Sequence, residues 1–266
     1  ENTQGDIRGA QWVHPLTPAF DMGSLNGTGS PNNNLNSFGL TVGNDGTNAT
    51  IFTSISSRVY LQNEYGTYGN AMAINDKYQV VGAFSDDAKG AYFAGIWGDG
   101  PTVKNLGSLG GNGSWAYDIN ESSQIVGFAR RSDDYIHAAI WSDNKIKDLG
   151  TLGGDFSSAY GINNRGQVVG MSTEVGIFET YATLWDGDSI INLNDYLDNS
   201  YTQDGWILRE ALEINDSGWI VGNAFNSNLG LTKGFVLSVS QVPEPDSYAM
   251  FFAGLLVISV FRKFKR

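Results

Sequence analysis

Two carboxylates hold the same place in two copies of a repeated segment, and a carboxylate pair is what hydrolysis of a glycosidic bond requires. Asp118 and Glu213 each lie two residues before a repeated asparagine, where the other copies carry Asn34, Ala73 and Gly161. One carboxyl group would act as the acid and the other as the base or nucleophile. We favour the interpretation that both are polar residues beside water, with no catalytic residues in the chain. An extracellular glycan hydrolase is the alternative.

The composition of the chain excludes several other kinds of catalytic and metal site. The chain has no cysteine and only two histidines, His14 and His137, which excludes thiolate nucleophiles, zinc fingers, iron–sulfur clusters and multi-histidine metal sites. Three acidic pairs supply the oxygen ligands that calcium prefers: Asp86 with Asp87, Asp133 with Asp134, and Asp186 with Asp188. They fall where turns are expected, and turns favour aspartate for local hydrogen bonding. No cofactor or metal is therefore expected, and a structural calcium ion stays open.

Aromatic side chains outside the repeated positions are the candidates for ligand binding. Aromatic rings stack on sugar faces while asparagine and aspartate bind hydroxyl groups, so a glycan surface is plausible. The chosen candidate contacts are Trp115, Tyr196, Tyr201 and Trp206, and the insertion at 194–205 is the first choice for a specific feature. The wider set adds Tyr65, Tyr68, Tyr135, Phe156 and Phe178. Local packing is the alternative role for all of them.

The elements that position these side chains come from five copies of one segment. In each copy an asparagine lies seven residues before a glycine: Asn36 and Gly43, Asn75 and Gly82, Asn120 and Gly127, Asn163 and Gly170, Asn215 and Gly222. In four copies an alanine lies four residues before that asparagine: Ala71, Ala116, Ala159 and Ala211. Fixed spacing inside the copies, with variable separation between them, predicts one structural unit with loops of different length.

Each copy is predicted to form four strands. Alanine-x-x-isoleucine-asparagine is the first strand and glutamine-valine-valine-glycine the second, joined by a turn that ends on a left-handed glycine such as Gly166. Tyr78 and Ser123 hold that glycine position in two copies, which predicts local backbone strain. The third strand ends on Trp97, Trp141 and Trp185, which we expect in the core. A hairpin and a short fourth strand follow.

The fold class predicted from this pattern is all-β, a five-bladed β-propeller. The chain has 34 glycines in 266 residues and many aromatic residues, as expected of short strands joined by tight turns. Residues 10–13 resemble a third strand, so we expect an N-terminal strand to close the last blade and remove exposed edges. An open β-sandwich is the alternative. The net charge of −12 argues against nucleic acid as a partner.

The repeats resemble the extracellular HAF repeat of exported bacterial proteins. The resemblance covers about residues 10–240 and is closest at 148–185, where LGTLGG is followed by SSAYGINNRGQVVG. It implies export and a propeller-like scaffold, and it supplies no catalytic residues. The histidine-alanine pair that gives the repeat its name survives only as His137 and Ala138. This departure argues against a function carried by the histidine.

The last 26 residues resemble the PEP-CTERM sorting signal. A linker at 241–246 is followed by the uncharged stretch 247–261, predicted to be a short transmembrane helix, and by the basic cytoplasmic tail 262–266. The resemblance implies a sorting and cleavage motif at Pro243, Glu244 and Pro245. It implies a membrane stop at Arg262, Lys263, Lys265 and Arg266. An exosortase-type enzyme and the membrane are the partners it implies.

The sequence thus predicts an exported, non-enzymatic propeller over residues 1–240, anchored transiently in the membrane by its C-terminal helix. It would act as a binding or structural module at the cell surface or in the exopolysaccharide matrix, with polysaccharide as a candidate partner. Besides the hydrolase, a surface filament subunit that assembles by strand exchange is a further alternative.

Overall fold

The computed structural model describes residues 8–11, 20–24, 35–54, 57–98, 100, 102–177, 179–238 and 256–257. It divides into two compact units, Glu1–Asp134 with Ile140–Lys147, and Tyr135–Ala139 with Asp148–Arg266. The described residues are mostly strands, with one five-residue helix, α1 (Asn199–Gln203), and one 3-10 turn at Leu193–Tyr196. The prediction of an all-β chain is confirmed.

The first unit contains the first two copies of the repeat and the start of the third. Its strands are β1 (Arg8–Gln11), β2 (Phe20–Ser24), β3 (Thr41–Asp45), β4 (Asn48–Ser54), β5 (Ser57–Tyr60), β6 (Gly69–Ile74), β7 (Val80–Asp86), β8 (Ala91–Trp97), β9 (Lys104–Asn105), β10 (Gly110–Ile119) and β11 (Ile125–Arg131). Strands β3 to β5 form one antiparallel sheet and β6 to β9 another, in chain order.

Strands β12 (Ile136–Ser142) and β13 (Lys145–Asp148) contribute residues to both units. The second unit continues with β14 (Gly153–Ile162), β15 (Val168–Glu174), β16 (Thr180–Asp186), β17 (Ser189–Asn192), β18 (Trp206–Ile214), β19 (Trp219–Asn226), β20 (Leu231–Ser238) and β21 (Leu256–Val257). Strands β14 to β17 pair antiparallel in chain order, as do β18 to β20.

The predicted four-strand unit is complete in the copies that begin with β6, β10 and β14. In the first copy the described part of the predicted first strand is Leu35 and Asn36, and Leu35 forms a bridge with Thr41. The strained turn positions are confirmed, because Tyr78 and Ser123 both have a φ of 62°. Gly166, with a φ of 79°, holds the same place without a Cβ.

The fixed spacing of alanine and glycine has a steric cause. Ala159 lies opposite Gly170, and the register of β14 shifts directly after Ala159, as in a β-bulge. A Cβ at Gly170 would lie 2.0 Å from the carbonyl oxygen of Ser158. Gly82, Gly127 and Gly222 face the same obstacle at 1.9 to 2.1 Å. Only glycine fits where the two strands approach this closely.

The repeated tryptophans are core residues, as predicted. Trp97, Trp141 and Trp185 are each buried at the end of a third strand. Trp97 packs with Phe84 and Val103 in the core of the first unit, and its Nε1 donates a hydrogen bond to the Gln62 carbonyl at 3.0 Å. Their burial leaves the three indole rings unable to bind a ligand.

The sequence predicts that an N-terminal strand closes the last copy, and the strand pairing differs from this prediction. β1 pairs antiparallel with β2, as a third and a fourth strand would. The position beside β20 is held by β21, through Phe235 with Leu256 and Val236 with Val257. Because an open strand edge presents unpaired N–H and C=O groups, these two residues can occupy it.

Most of the predicted sorting segment lies outside the described residues. The motif at 243–245, the basic cluster at 262–266 and the linker are not described, and Leu256–Val257, inside the predicted transmembrane helix, is a strand. Within the described part of the chain, no helix combines the length and apolarity that crossing a membrane would require.

Candidate functional site

The repeated asparagines belong to the scaffold. The Oδ1 of Asn163 accepts hydrogen bonds at 3.0 Å from the backbone N–H groups of Arg165 and Gln167, and so closes its own turn. Its Nδ2 donates to the Gln167 side chain at 2.9 Å and to the Asn215 carbonyl at 3.1 Å. One buried side chain therefore holds a turn and ties it to the next copy.

The same arrangement recurs in the first unit. Asn75 accepts from the N–H groups of Lys77 and Gln79, and its Nδ2 donates to the Asn120 carbonyl at 3.2 Å. Asn36 donates in turn to the Asn75 carbonyl. Because these side chains are used inside the protein, ligand-binding residues are to be sought where the copies differ.

A buried serine fixes each glycine-rich connection between copies. The Oγ of Ser114 donates to the Gly107 carbonyl at 2.6 Å and accepts from the Ala94 N–H at 2.9 Å. Ser157 makes the equivalent bonds, at 2.8 Å each, to Gly150 and Ala138. The segment 107–114 is therefore held against β8, and it forms one wall of the groove described below.

Three aromatic side chains meet at the start of β8. The rings of Tyr68 and Tyr92 make an edge contact with centroids 5.6 Å apart, and Tyr92 contacts Trp115 at 5.8 Å. Tyr92 is 47% exposed, and the other two are half-buried. Burial, and secondarily the neighbouring Tyr92, raises the pKa of the Tyr68 hydroxyl above its usual value. We call these three residues the aromatic row.

An open groove of about 550 Å³ is built on β8 and the segment 105–112. Its lining is Lys89, Phe93, Asn105, Leu106, Gly107, Ser108, Gly110, Gly111 and Asn112. The Lys89 Nζ lies 4.6 Å from the centre of the Phe93 ring and 3.0 Å from Asp86, so its charge is partly balanced. We call this the polar groove.

The row and the groove share the same two strands. Tyr92 and Phe93 are consecutive in β8, and a Cβ at Gly113 in β10 would lie 3.4 Å from the Tyr92 carbonyl oxygen. The Asn112 side chain donates to the Lys89 carbonyl at 3.3 Å. Successive side chains of a strand point to opposite faces, so the Tyr92 and Phe93 rings lie on opposite faces of β8. The candidate site is the aromatic row, with the polar groove as a second feature built on the same strands.

The aromatic row breaks the repeat. Counted from the repeated alanines, the later copies carry Ile136 and Thr180 in place of Tyr92, and Ser158 and Glu210 in place of Trp115. Sequence reasoning selected Trp115 and named Tyr68 but missed Tyr92, which stands inside a predicted strand. Comparing the copies position by position would have found it, since the other copies have no aromatic residue there.

The predicted ligand contacts of the last copy pack inward. Trp206 is only 8% exposed and belongs to the core of the second unit with Leu193 and Leu208. Tyr196 and Tyr201, from the 3-10 turn and α1 of the insertion, are partly buried against the same core. These three side chains hold the insertion in place, and Trp206 has little surface to offer a ligand.

The two carboxylates have different surroundings. Asp118 is buried, and its Oδ1 accepts from the N–H of Ile119 at 2.8 Å. Glu213 is exposed, and Gly161 in the neighbouring copy leaves room for it, since a Cβ there would lie 3.2 Å from its Oε2.

The acidic turn residues have protein partners. Asp86 pairs with Lys89, Asp133 with Arg131, and Asp186 accepts from the side chain of Gln167. Over the described ranges, no group of three or more histidine, aspartate or glutamate side chains is arranged to hold a metal ion.

His137 is buried, and its Nδ1 lies 2.9 Å from both carboxylate oxygens of Asp148. Asp148 also accepts from the N–H of Gly150 at 2.8 Å. The imidazole therefore helps to hold the start of the glycine-rich connection.

No family model matches the chain, and no curated protein is similar to it in sequence. A similar solved structure is described as that of a putative TolB from Agrobacterium tumefaciens, with a TM-score of 0.56 over 77% of this chain and 76% of that one. The fold is a β-propeller. At 12% identity the likeness shows the fold alone, so the HAF and PEP-CTERM resemblances stay predictions.

Proposed function

We propose that the chain is an exported, non-enzymatic β-propeller of five blades that binds polysaccharide at the cell surface or in the exopolysaccharide matrix. The observation that carries this proposal is the aromatic row of Tyr68, Tyr92 and Trp115, in which Tyr92 and Trp115 depart from the repeat.

The chemistry of the site suits a sugar polymer. Aromatic faces stack on the apolar faces of sugar rings. In the groove the Asn105 Oδ1 accepts from the Gly107 N–H and the Asn112 Nδ2 donates to the Lys89 carbonyl, so the Nδ2 of Asn105 and the Oδ1 of Asn112 are the groups for the sugar hydroxyls. An open groove admits a polymer that continues past both ends. Because the net charge is −12, a neutral polysaccharide is favoured over an acidic one.

A binding role is favoured over hydrolysis because the described lining of the groove contains no carboxylate. Hydrolysis would have to use Asp118 and Glu213, outside the candidate site. Release of reducing sugar from a bound polysaccharide, lost in Asp118→Asn, would favour the enzyme instead.

Replacing Tyr92 with alanine is expected to weaken polysaccharide binding about tenfold, since it removes the central ring and leaves Trp115 without its neighbour. The measurement is affinity gel electrophoresis of the full chain in gels containing glucomannan, xylan or dextran. Tyr135→Ala is the matched control, because Tyr135 is also 47% exposed. Retardation of the wild type by none of the three polymers, or equal retardation of Tyr92→Ala, would contradict the proposal.

We further propose that residues 243–266 act as a sorting signal read by an exosortase-type enzyme, with 247–261 holding the chain transiently in the membrane. The support is the order of the Pro-Glu-Pro motif, the uncharged stretch and the basic cluster. Mass spectrometry of the mature surface pool is expected to find a C-terminus at or near Pro245. Surface-retained chains that still carry Arg266 would contradict processing.

A further inference from the structure

A second exposed aromatic pair lies apart from the candidate site. The rings of Phe38 and Tyr78 stack with centroids 5.4 Å apart and planes only 7° from parallel. Phe38 is 61% exposed and Tyr78 is 51% exposed. They come from the turns after Asn36 and Asn75, in adjacent copies of the first unit. Neither residue belongs to the described core of the first unit.

Tyr78 occupies a backbone conformation that costs stability. Its φ of 62° is one that glycine adopts freely, and Gly218, with a φ of 81°, holds the same place in the last copy. A bulky residue in this left-handed conformation lowers the free energy of unfolding by about 1 kcal/mol or more. Ser123 shares the conformation, but its hydroxyl donates to the Gln79 side chain at 2.7 Å. The ring of Tyr78 instead stacks on Phe38 at the surface.

We infer that Phe38 and Tyr78 form a second sugar-stacking platform, so that one molecule cross-links two polysaccharide strands. This inference rests on the proposed function. The two rings stack on each other, and their exposure leaves an outer ring face on which a sugar ring can stack. Asp76 Oδ1 accepts from the Ser37 N–H at 2.8 Å and so fixes the turn that carries Phe38. A second copy of this chain is a poorer occupant, because each copy carries a net charge of −12.

The two platforms lie at opposite ends of β7. Tyr78 stands two residues before Val80, where β7 begins, whereas Tyr92 pairs with Ser85 near its other end. Five residue steps of about 3.3 Å separate Val80 from Ser85 by about 17 Å. A polymer held at one end leaves the other end free for a second polymer, and linked sites of this kind raise avidity.

The test is light scattering of the full chain mixed with glucomannan. Wild-type protein is expected to raise the scattering through cross-linking, and an excess of polymer is expected to lower it again. Tyr78→Gly and Phe38→Ala are expected to reduce the rise about tenfold while binding through Tyr92 persists. Tyr78→Gly also relieves the backbone strain, so it should melt no lower than the wild type. Ser123→Gly, with the same backbone change and no lost ring, should cross-link as the wild type does.

The possible failures are distinguishable. If Tyr92→Ala weakens binding but Tyr78→Gly cross-links like the wild type, the inference is overturned and the proposed function stands. If glucomannan does not bind at all, the proposed function and the inference fall together. A scattering rise without polysaccharide that Tyr78→Gly abolishes would assign this surface to contact between copies, and would also overturn the inference.

Discussion

Replacing Gly170 with alanine is expected to lower the free energy of unfolding by about 3 kcal/mol or more, because two paired backbones must separate. The new Cβ would lie 2.0 Å from the Ser158 carbonyl oxygen and 2.9 Å from the Ala159 Cα. These atoms are backbone, so no side-chain rotation relieves the clash. Chemical denaturation of the full chain followed by circular dichroism measures the loss.

Gly98→Ala is the matched control for this substitution. Its nearest neighbour to a new Cβ is the Gln79 Cγ at 3.5 Å, and its φ is not in the left-handed region. We expect a change within about 0.5 kcal/mol. Equal stability of the Gly170→Ala and Gly98→Ala variants would show that the glycine at the end of the second strand is not required by packing.

Replacing Asn163 with alanine is expected to cost about 3 kcal/mol, because it removes the acceptor for two backbone N–H groups in one turn. It also removes the bond from its Nδ2 to the Asn215 carbonyl. Asn163→Asp keeps the acceptor but buries a carboxylate oxygen 3.1 Å from the Asn215 carbonyl oxygen, so it too should destabilise the chain. The same denaturation experiment measures both variants.

The adjacent Asn164 provides the control, since the hydrogen bond from its side chain to the Asp216 Oδ2, at 2.9 Å, is exposed to solvent. Asn164→Ala should therefore be nearly neutral. If Asn163→Ala destabilised the chain no more than Asn164→Ala does, the repeated asparagine would not be a structural residue. The interpretation that function lies where the copies differ would then lose its basis.

Much of the fold could be predicted because the repeated residues determine local backbone structure. The spacing of Ala159, Asn163 and Gly170 records a bulge, a turn and a close strand approach, all within one hairpin. The left-handed backbone at Tyr78 followed from comparing it with Gly166 in another copy. Such features depend on a few neighbouring residues, so the sequence is enough to reveal them.

The site was less predictable, because it depends on which way side chains face once the strands pack. Tyr92 reaches Trp115 because of how β8 lies beside β10, a contact between residues 23 positions apart. Trp206 had the same signature as a ligand contact, an aromatic residue outside the repeat, yet it turns into the core. Sequence pattern does not distinguish an aromatic residue that covers a core from one that faces solvent.

Hydrogen exchange of the full chain with and without glucomannan tests the central claim most directly, namely that the candidate site binds polysaccharide. We predict slower exchange over 89–93 and 107–115, which carry the polar groove and two residues of the aromatic row. No change is predicted at 163–167, where Asn163 already holds the amides. Protection confined to segments outside the aromatic row, the polar groove and the Phe38–Tyr78 platform, or none at a saturating polymer concentration, would contradict the account.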